Sequence, residues 1–229
     1  MGILVYRDAS AASAAVATVF AAQIIEKPNS VLGFVTGPTQ EGVFARLAGM
    51  TGSSLLDWSD VISFNVSEFM PASAQEESRR AYMQNHLFGK VNIRPENVRF
   101  PDVEAGDLKA ACAAYEDEIG DVGGIDLQLL GLGKTGNIGF NYPAREFVAL
   151  THAVPLPQQE QEEQYFALTM GVGSIMASER IVMLVTGADK ADAVYRMLNS
   201  PVSPAFPATM LQMHRRVTFV LDEPAAARL

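Results

Sequence analysis

Short apolar runs alternate along this chain with longer stretches in which apolar residues recur at helical spacing. The runs Ile3–Tyr6, Val31–Val35, Val61–Val66, Val98–Phe100, Leu127–Leu132, Ala149–Thr151, Ile181–Val185 and Val217–Leu221 predict strands. Between them, Ala9–Ile25, Gly42–Ala48, Glu76–Phe88, Asp107–Ile119, Val172–Ala177, Lys190–Leu198 and Pro207–Met213 predict helices. Strands that are apolar along their whole length are buried on both faces, as in a parallel sheet covered by helices on either side. Regular alternation with short connections such as Gly187-Ala188-Asp189 predicts an α/β fold, a doubly wound, mainly parallel sheet in a single domain over residues 1–229. One stretch breaks the pattern. Pro155–Gln164, reading PLPQQEQEEQ, is polar, acidic and without core residues, and is expected as an exposed loop or the start of a surface helix.

Composition narrows the picture. With 48% hydrophobic residues in 229 positions, the chain can build one well-cored domain. Ala9–Ile25 is alanine-rich and apolar enough to resemble a secretory leader. It follows a strand-like segment and Asp8, however, with Arg7 as its one preceding basic residue, so it reads as the first helix of the domain. Tyr6 stands where a myristoylation signal needs Ser or Thr. No apolar run is long enough to span a bilayer, and the expectation is a cytoplasmic protein without a membrane partner. A single cysteine, Cys112, excludes an intramolecular disulfide and a cysteine-based metal cluster. The net charge of −9 argues against nucleic acid as a partner and makes any anionic ligand dependent on local positive charge.

The segment Asp126–Pro143, reading DLQLLGLGKTGNIGFNYP, carries the chemistry. An apolar strand runs directly into a loop with glycines at Gly131, Gly133, Gly136 and Gly139, which let the backbone turn sharply and approach a ligand. Open α/β sheets hold their ligands at such carboxyl ends of strands. The segment resembles the active-site loop of the glucosamine-6-phosphate deaminase/isomerase family, G-x-G-x-D-G-H-I-x-F-N-E-P, through Gly131, Gly133, Gly136, Ile138, Phe140, Asn141 and Pro143. The resemblance extends over nearly the whole chain. It includes VTGPT (Val35–Thr39), similar to the family's phosphate loop, VISFNVSEF (Val61–Phe69), and Tyr165–Val194, followed by PATMLQMH (Pro207–His214). It implies a Rossmann-like sheet of the sugar-phosphate isomerase type, with the loops after Val35, Val66 and Gly133 converging on one pocket.

The same resemblance shows what has changed. The family's base, an Asp after the third strand, falls on Ser67; its ring-opening His falls on Asn137; the two supporting carboxylates fall on Thr135 and Tyr142. A serine hydroxyl and an amide form hydrogen bonds but do not titrate near neutral pH, so these residues cannot run the family's proton relay. Because one lost group can be bypassed and four seldom are, the usual deamination is expected to be absent, as in a pseudoenzyme. Tyr142, Lys134 and Glu68 are the groups from which a rebuilt acid–base set could come. Glu68 neighbours Ser67 in extended chain and is expected to face the other way. His152 lies after the loop and could edge the pocket, whereas His86 and His214 are expected in packing or capping roles.

For the phosphate, the resemblance implies Thr36, Gly37, Thr39, Lys190 and Arg145 as binding residues. Pro38 replaces a glycine and removes one N–H from the cradle. The acidic Glu160, Glu162 and Glu163 stand where the family has further basic residues. The related 6-phosphogluconolactonases also use the loop histidine, so Asn137 counts against lactonase activity. The glycine spacing is not that of a nicotinamide fingerprint, and no cofactor or metal is implied. The expected partner is a small-molecule sugar phosphate; a non-catalytic sensor or interaction module is the alternative. A monomer and a homo-oligomer both accord with the family.

Overall fold

The computed structural model describes residues 1–69, 77–156 and 165–229. Among them, seven strands form one parallel sheet: β1 (Gly2–Tyr6), β2 (Val31–Phe34), β3 (Ile62–Asn65), β5 (Val98–Arg99), β6 (Leu127–Leu130), β9 (Arg180–Val185) and β10 (Val217–Asp222). Their order is β1-β10-β9-β6-β2-β3-β5, and every pairing is parallel. Period-two alternation within β9 decides which face each residue serves. Ile181, Met183 and Val185 join one apolar cluster, and Val182 and Leu184 join the other.

Helices cover both faces. One cluster is closed by α1 (Ala9–Glu26), α2 (Pro38–Gly52) and α3 (Arg79–His86), and the other by α4 (Leu108–Asp121), α5 (Val172–Met176) and α6 (Ala191–Asn199). The α1 helix, the one described helix long and apolar enough to cross a membrane, buries Ala12, Val16, Phe20 and Ile24 in the first cluster. Its N-terminus is capped by Asp8, whose carboxylate accepts the Ala11 N–H at 2.8 Å. At the centre of that cluster Phe34 is fully buried, with ring centroids 5.4 Å from Phe20, 6.1 Å from Phe44, 6.4 Å from Trp58 and 6.0 Å from Phe88.

A second, three-stranded antiparallel sheet stands beside the main one, in the order β4-β8-β7: β4 is Ser67–Phe69, β7 is His152–Pro155 and β8 is Phe166–Thr169. It was not expected. Val66 interrupts the run read as one strand, donating its N–H to the Phe34 carbonyl at 2.8 Å while its own carbonyl accepts from Met170. The chain thereby leaves the parallel sheet after Asn65 and pairs with β8 instead. The strand read at Ala149–Thr151 begins at His152, because the Ala149 carbonyl accepts from Ser174 and the Thr151 N–H is taken by Glu116 on α4. The helix read over Pro207–Met213 is a 3₁₀ turn, started by Pro207 and closed by bonds such as Thr209 N–H to the Phe206 carbonyl at 2.9 Å. Most of Pro155–Gln164, with Glu160, Glu162 and Glu163, and the predicted helix start at Glu76 lie outside the described residues.

Candidate functional site

The order of the main sheet reverses between β2 and β6. From β2 the chain builds outward through β3 and β5, then returns to place β6 on the opposite side. The crevice beyond the carboxyl ends at such a switch point is where open α/β sheets bind ligands. A cleft of about 310 Å³ lies there. Thr36, Gly37, Thr39 and Gln40 line it from the β2–α2 connection, Ser67 from β4, Arg79 from α3, and Gly131, Gly133, Asn137, Phe140 and Tyr142 from the loop after β6. Six of the nine residues singled out from the sequence thus meet in one place: Thr36, Gly37, Thr39, Ser67, Asn137 and Tyr142.

The β2–α2 connection presents a helix start to the cleft. Gly37 is the N-cap of α2, and Pro38 takes the first helical position, where its fixed φ suits the helix and its absent N–H breaks no intrahelical bond. The missing donor still leaves one fewer N–H for an anion. From α3, the Tyr82 hydroxyl donates to the Gly37 carbonyl at 2.9 Å. Burial, followed by the nearby Glu41, pushes the Tyr82 phenol well above its ordinary range, so it stays a donor at every relevant pH. Replacing it, Tyr82→Phe, removes this brace and should lower stability by about 1 kcal/mol in urea denaturation. An unchanged midpoint and slope would show that the loop holds its shape unaided.

The loop after β6 is held by its own polar atoms. The Thr135 hydroxyl donates to Asn137 Oδ1 at 2.9 Å, and Asn137 Nδ2 donates to the Gly139 carbonyl at 3.1 Å. Asn137 lies so close over Gly133 that a Cβ there would stand 1.7 Å from Oδ1, and only glycine leaves room for the amide. Gly139 has φ +56°, and a Cβ on it would meet Val66 and Thr169 at 2.7 and 2.8 Å. The loop is therefore pressed against the end of β3 and against β8. Buried Asn141 fixes the rest, donating to the Ile138 and Met170 carbonyls at 2.9 and 2.8 Å. Thr135 does not line the cleft itself; it orients Asn137, which does.

Ser67 and Glu68 part as the pleat requires. Ser67 faces the cleft, whereas the Glu68 carboxylate is 4% exposed and accepts the backbone N–H groups of Phe69, Arg79 and Arg80, each at 2.8 Å. Glu68 is an anchor for the start of α3 and is absent from the cleft lining. Lys134 is absent too, since its ammonium pairs with Asp189 at 3.1 Å on the surface. Tyr142 sits at the rim, 43% exposed. No carboxylate and no imidazole is found among the described residues that line the cleft.

Three expected residues stand elsewhere. Lys190 lies behind the loop and donates to the Leu132 carbonyl at 2.9 Å; burial lowers its pKa, partly opposed by Asp189. Arg145 is exposed and outside the lining, as is His152, whose Nδ1 lies 2.9 Å from the Leu150 carbonyl. His86 stacks on Tyr82 with ring centroids 4.2 Å apart, and buried His214 places Nε2 2.8 Å from the Ser178 carbonyl, in the packing roles expected of them. Sequence reading missed Gln40 and Arg79. Gln40 is marked by its place in the first turn after the phosphate-loop-like segment; Arg79 carries no comparable signal.

Comparison with known proteins agrees with this geometry. The model of the family described as glucosamine-6-phosphate isomerases/6-phosphogluconolactonase matches residues 7–220. The glucosamine-6-phosphate deaminase of Clostridioides difficile is 39% identical over 242 aligned positions, covering 100% of this chain and 97% of the relative. That of Clostridium novyi is 36% identical, with 100% of both chains covered. Among solved structures, a monomeric glucosamine-6-phosphate deaminase superposes with a TM-score of 0.92 at 33% identity over the full length of both chains. A 6-phosphogluconolactonase from Trypanosoma brucei shares the fold, with a TM-score of 0.76 at 21% identity over 100% of this chain and 98% of that one.

Proposed function

This chain belongs to the glucosamine-6-phosphate isomerase/6-phosphogluconolactonase family, and from that premise we propose that it binds a sugar 6-phosphate without deaminating or isomerising it. One observation carries the reading: the cleft is open and polar, yet no described residue lining it is a carboxylate or an imidazole. Aldose–ketose isomerisation moves a proton between adjacent carbons and needs a group that takes and returns it near neutral pH. Ser67 and Asn137 do not titrate there, and a tyrosine such as Tyr142 has an ordinary pKa of about 10. The volume of about 310 Å³ is at the lower end of small-molecule sites, in keeping with a single phosphorylated sugar.

In this reading the helix start at Thr36, Gly37 and Thr39 takes the phosphate through N–H and hydroxyl donors. Ser67, Asn137 and Tyr142 hydrogen-bond the sugar hydroxyls. Lys190 acts from behind by fixing the Leu132 carbonyl at the cleft wall. A rebuilt acid–base set is disfavoured, since Glu68 is consumed in anchoring α3 and Lys134 in its pair with Asp189.

Thermal-shift titration tests the binding half. Glucosamine 6-phosphate at ten times its dissociation constant should add about 1.4 kcal/mol of stability, and the unphosphorylated sugar at equal concentration should add much less. No stabilisation by glucosamine 6-phosphate, galactosamine 6-phosphate or fructose 6-phosphate at millimolar concentration would leave the fold as an interaction module.

A further inference from the structure

The cation that reads the ligand's phosphate in this cleft, we infer, is Arg79 at the start of α3, in place of Lys190 and Arg145 at the positions suggested by the family pattern. The inference rests on the binding reading above and adds to it the residue that confers charge selectivity.

Of the three cationic side chains, Arg79 is the one that lines the cleft. The Lys190 ammonium is directed to the Leu132 carbonyl at 2.9 Å, and Arg145 stands outside the lining. Arg79 is also held in place. Its guanidinium carbon lies 4.9 Å from the centre of the Phe69 ring and 5.7 Å from that of Phe140. Those two rings stand at 80° to one another with centroids 6.5 Å apart, so they form a corner that shields the guanidinium. Rings attract a guanidinium through its face and leave the N–H edges, the fork that grips phosphate oxygens in pairs, available for other bonds.

The backbone supports the same assignment. Glu68 accepts the Arg79 and Arg80 N–H groups at 2.8 Å each, so the start of α3 has its own buried anion and its peptide donors are occupied. A ligand anion is therefore met by the Arg79 side chain rather than by the α3 terminus. One turn along the same helix, Tyr82 donates to the Gly37 carbonyl, which ties α3 to the phosphate-binding turn. Arg79 and the Thr36–Thr39 segment are thus coupled through one helix and line one cleft. In a chain of net charge −9, a local cation is what an anionic sugar needs in order to bind.

Calorimetric titration of glucosamine 6-phosphate and of glucosamine into wild type, Arg79→Gln, Arg79→Lys and Lys190→Gln tests this, with melting curves confirming that each variant is folded. Arg79→Gln should weaken the phosphorylated ligand roughly ten- to a hundredfold and reduce the preference over glucosamine by the same factor. Arg79→Lys should fall between it and wild type, since it keeps the charge but loses the planar fork. Lys190→Gln should change the affinity about threefold at most. Binding by wild type with Arg79→Gln unaffected, or with the large loss in Lys190→Gln instead, would overturn this assignment alone. An absence of binding by wild type would overturn both it and the function from which it starts.

Discussion

Purified protein incubated with glucosamine 6-phosphate or galactosamine 6-phosphate should release ammonia at least roughly ten-thousandfold more slowly than an active deaminase of the family assayed alongside it. General acid–base groups each contribute about 10²–10⁴ in rate, and the cleft lining contains none that titrates near neutral pH. The two nearest candidates are both committed elsewhere. The buried Glu68 carboxylate accepts three backbone N–H groups, and Lys134 is paired with Asp189. Groups that work as one relay are strongly non-additive, so a single reversion such as Asn137→His should restore nothing measurable. The combined variant Ser67→Asp, Thr135→Asp, Asn137→His and Tyr142→Glu is expected to be the first to release ammonia. Robust turnover by the unaltered protein would refute the reading of Ser67 and Asn137.

The largest effect on stability is expected at Phe34. This ring is fully buried and is in contact range of four other aromatic rings across α1, α2, and the segments carrying Trp58 and Phe88. Truncation, Phe34→Ala, removes those contacts and leaves a cavity that a sheet pinned on both faces cannot close, at a cost of about 3–5 kcal/mol. Denaturant unfolding followed by tryptophan fluorescence would report it, because the single Trp58 is one of the rings involved. The cleft should be affected less than the fold. The Phe34 carbonyl, which accepts the Val66 N–H at 2.8 Å, belongs to the backbone and survives the substitution. Folded Phe34→Ala protein should bind glucosamine 6-phosphate with nearly the wild-type dissociation constant. A cost below about 1 kcal/mol would mean that the aromatic cluster repacks freely.

Most of the main sheet was legible because its strands are apolar on both faces, and only a covered parallel sheet explains such runs next to helical ones. The small sheet was not legible. Its strand β4 has three residues and follows β3 after a single intervening residue, so the two merge into one apolar run. What separates them is pairing with β8, about a hundred residues later in the chain, and no local pattern contains that information. The same distinction holds at the site. Gly133, Asn137 and the Thr36–Thr39 turn are marked by local spacing, and they meet in the cleft as expected. Arg79 looks in sequence like any solvated residue at a helix start. Its place in the cleft depends on β4 turning away from the main sheet and on Glu68 fastening the start of α3, both set by long-range contacts. Lys190 illustrates the reverse, since its type and position suggest a phosphate contact while burial directs its ammonium to a backbone carbonyl.

Phosphorus NMR of glucosamine 6-phosphate in the presence of the protein tests both halves of the functional account in one measurement. The account predicts that the phosphate resonance broadens or shifts saturably as protein is added, that excess fructose 6-phosphate reverses the change by competition, and that no new phosphate resonance grows in over hours. A resonance that stays sharp and unmoved at millimolar ligand would contradict binding, and the steady appearance of a fructose 6-phosphate signal would contradict the loss of the proton relay.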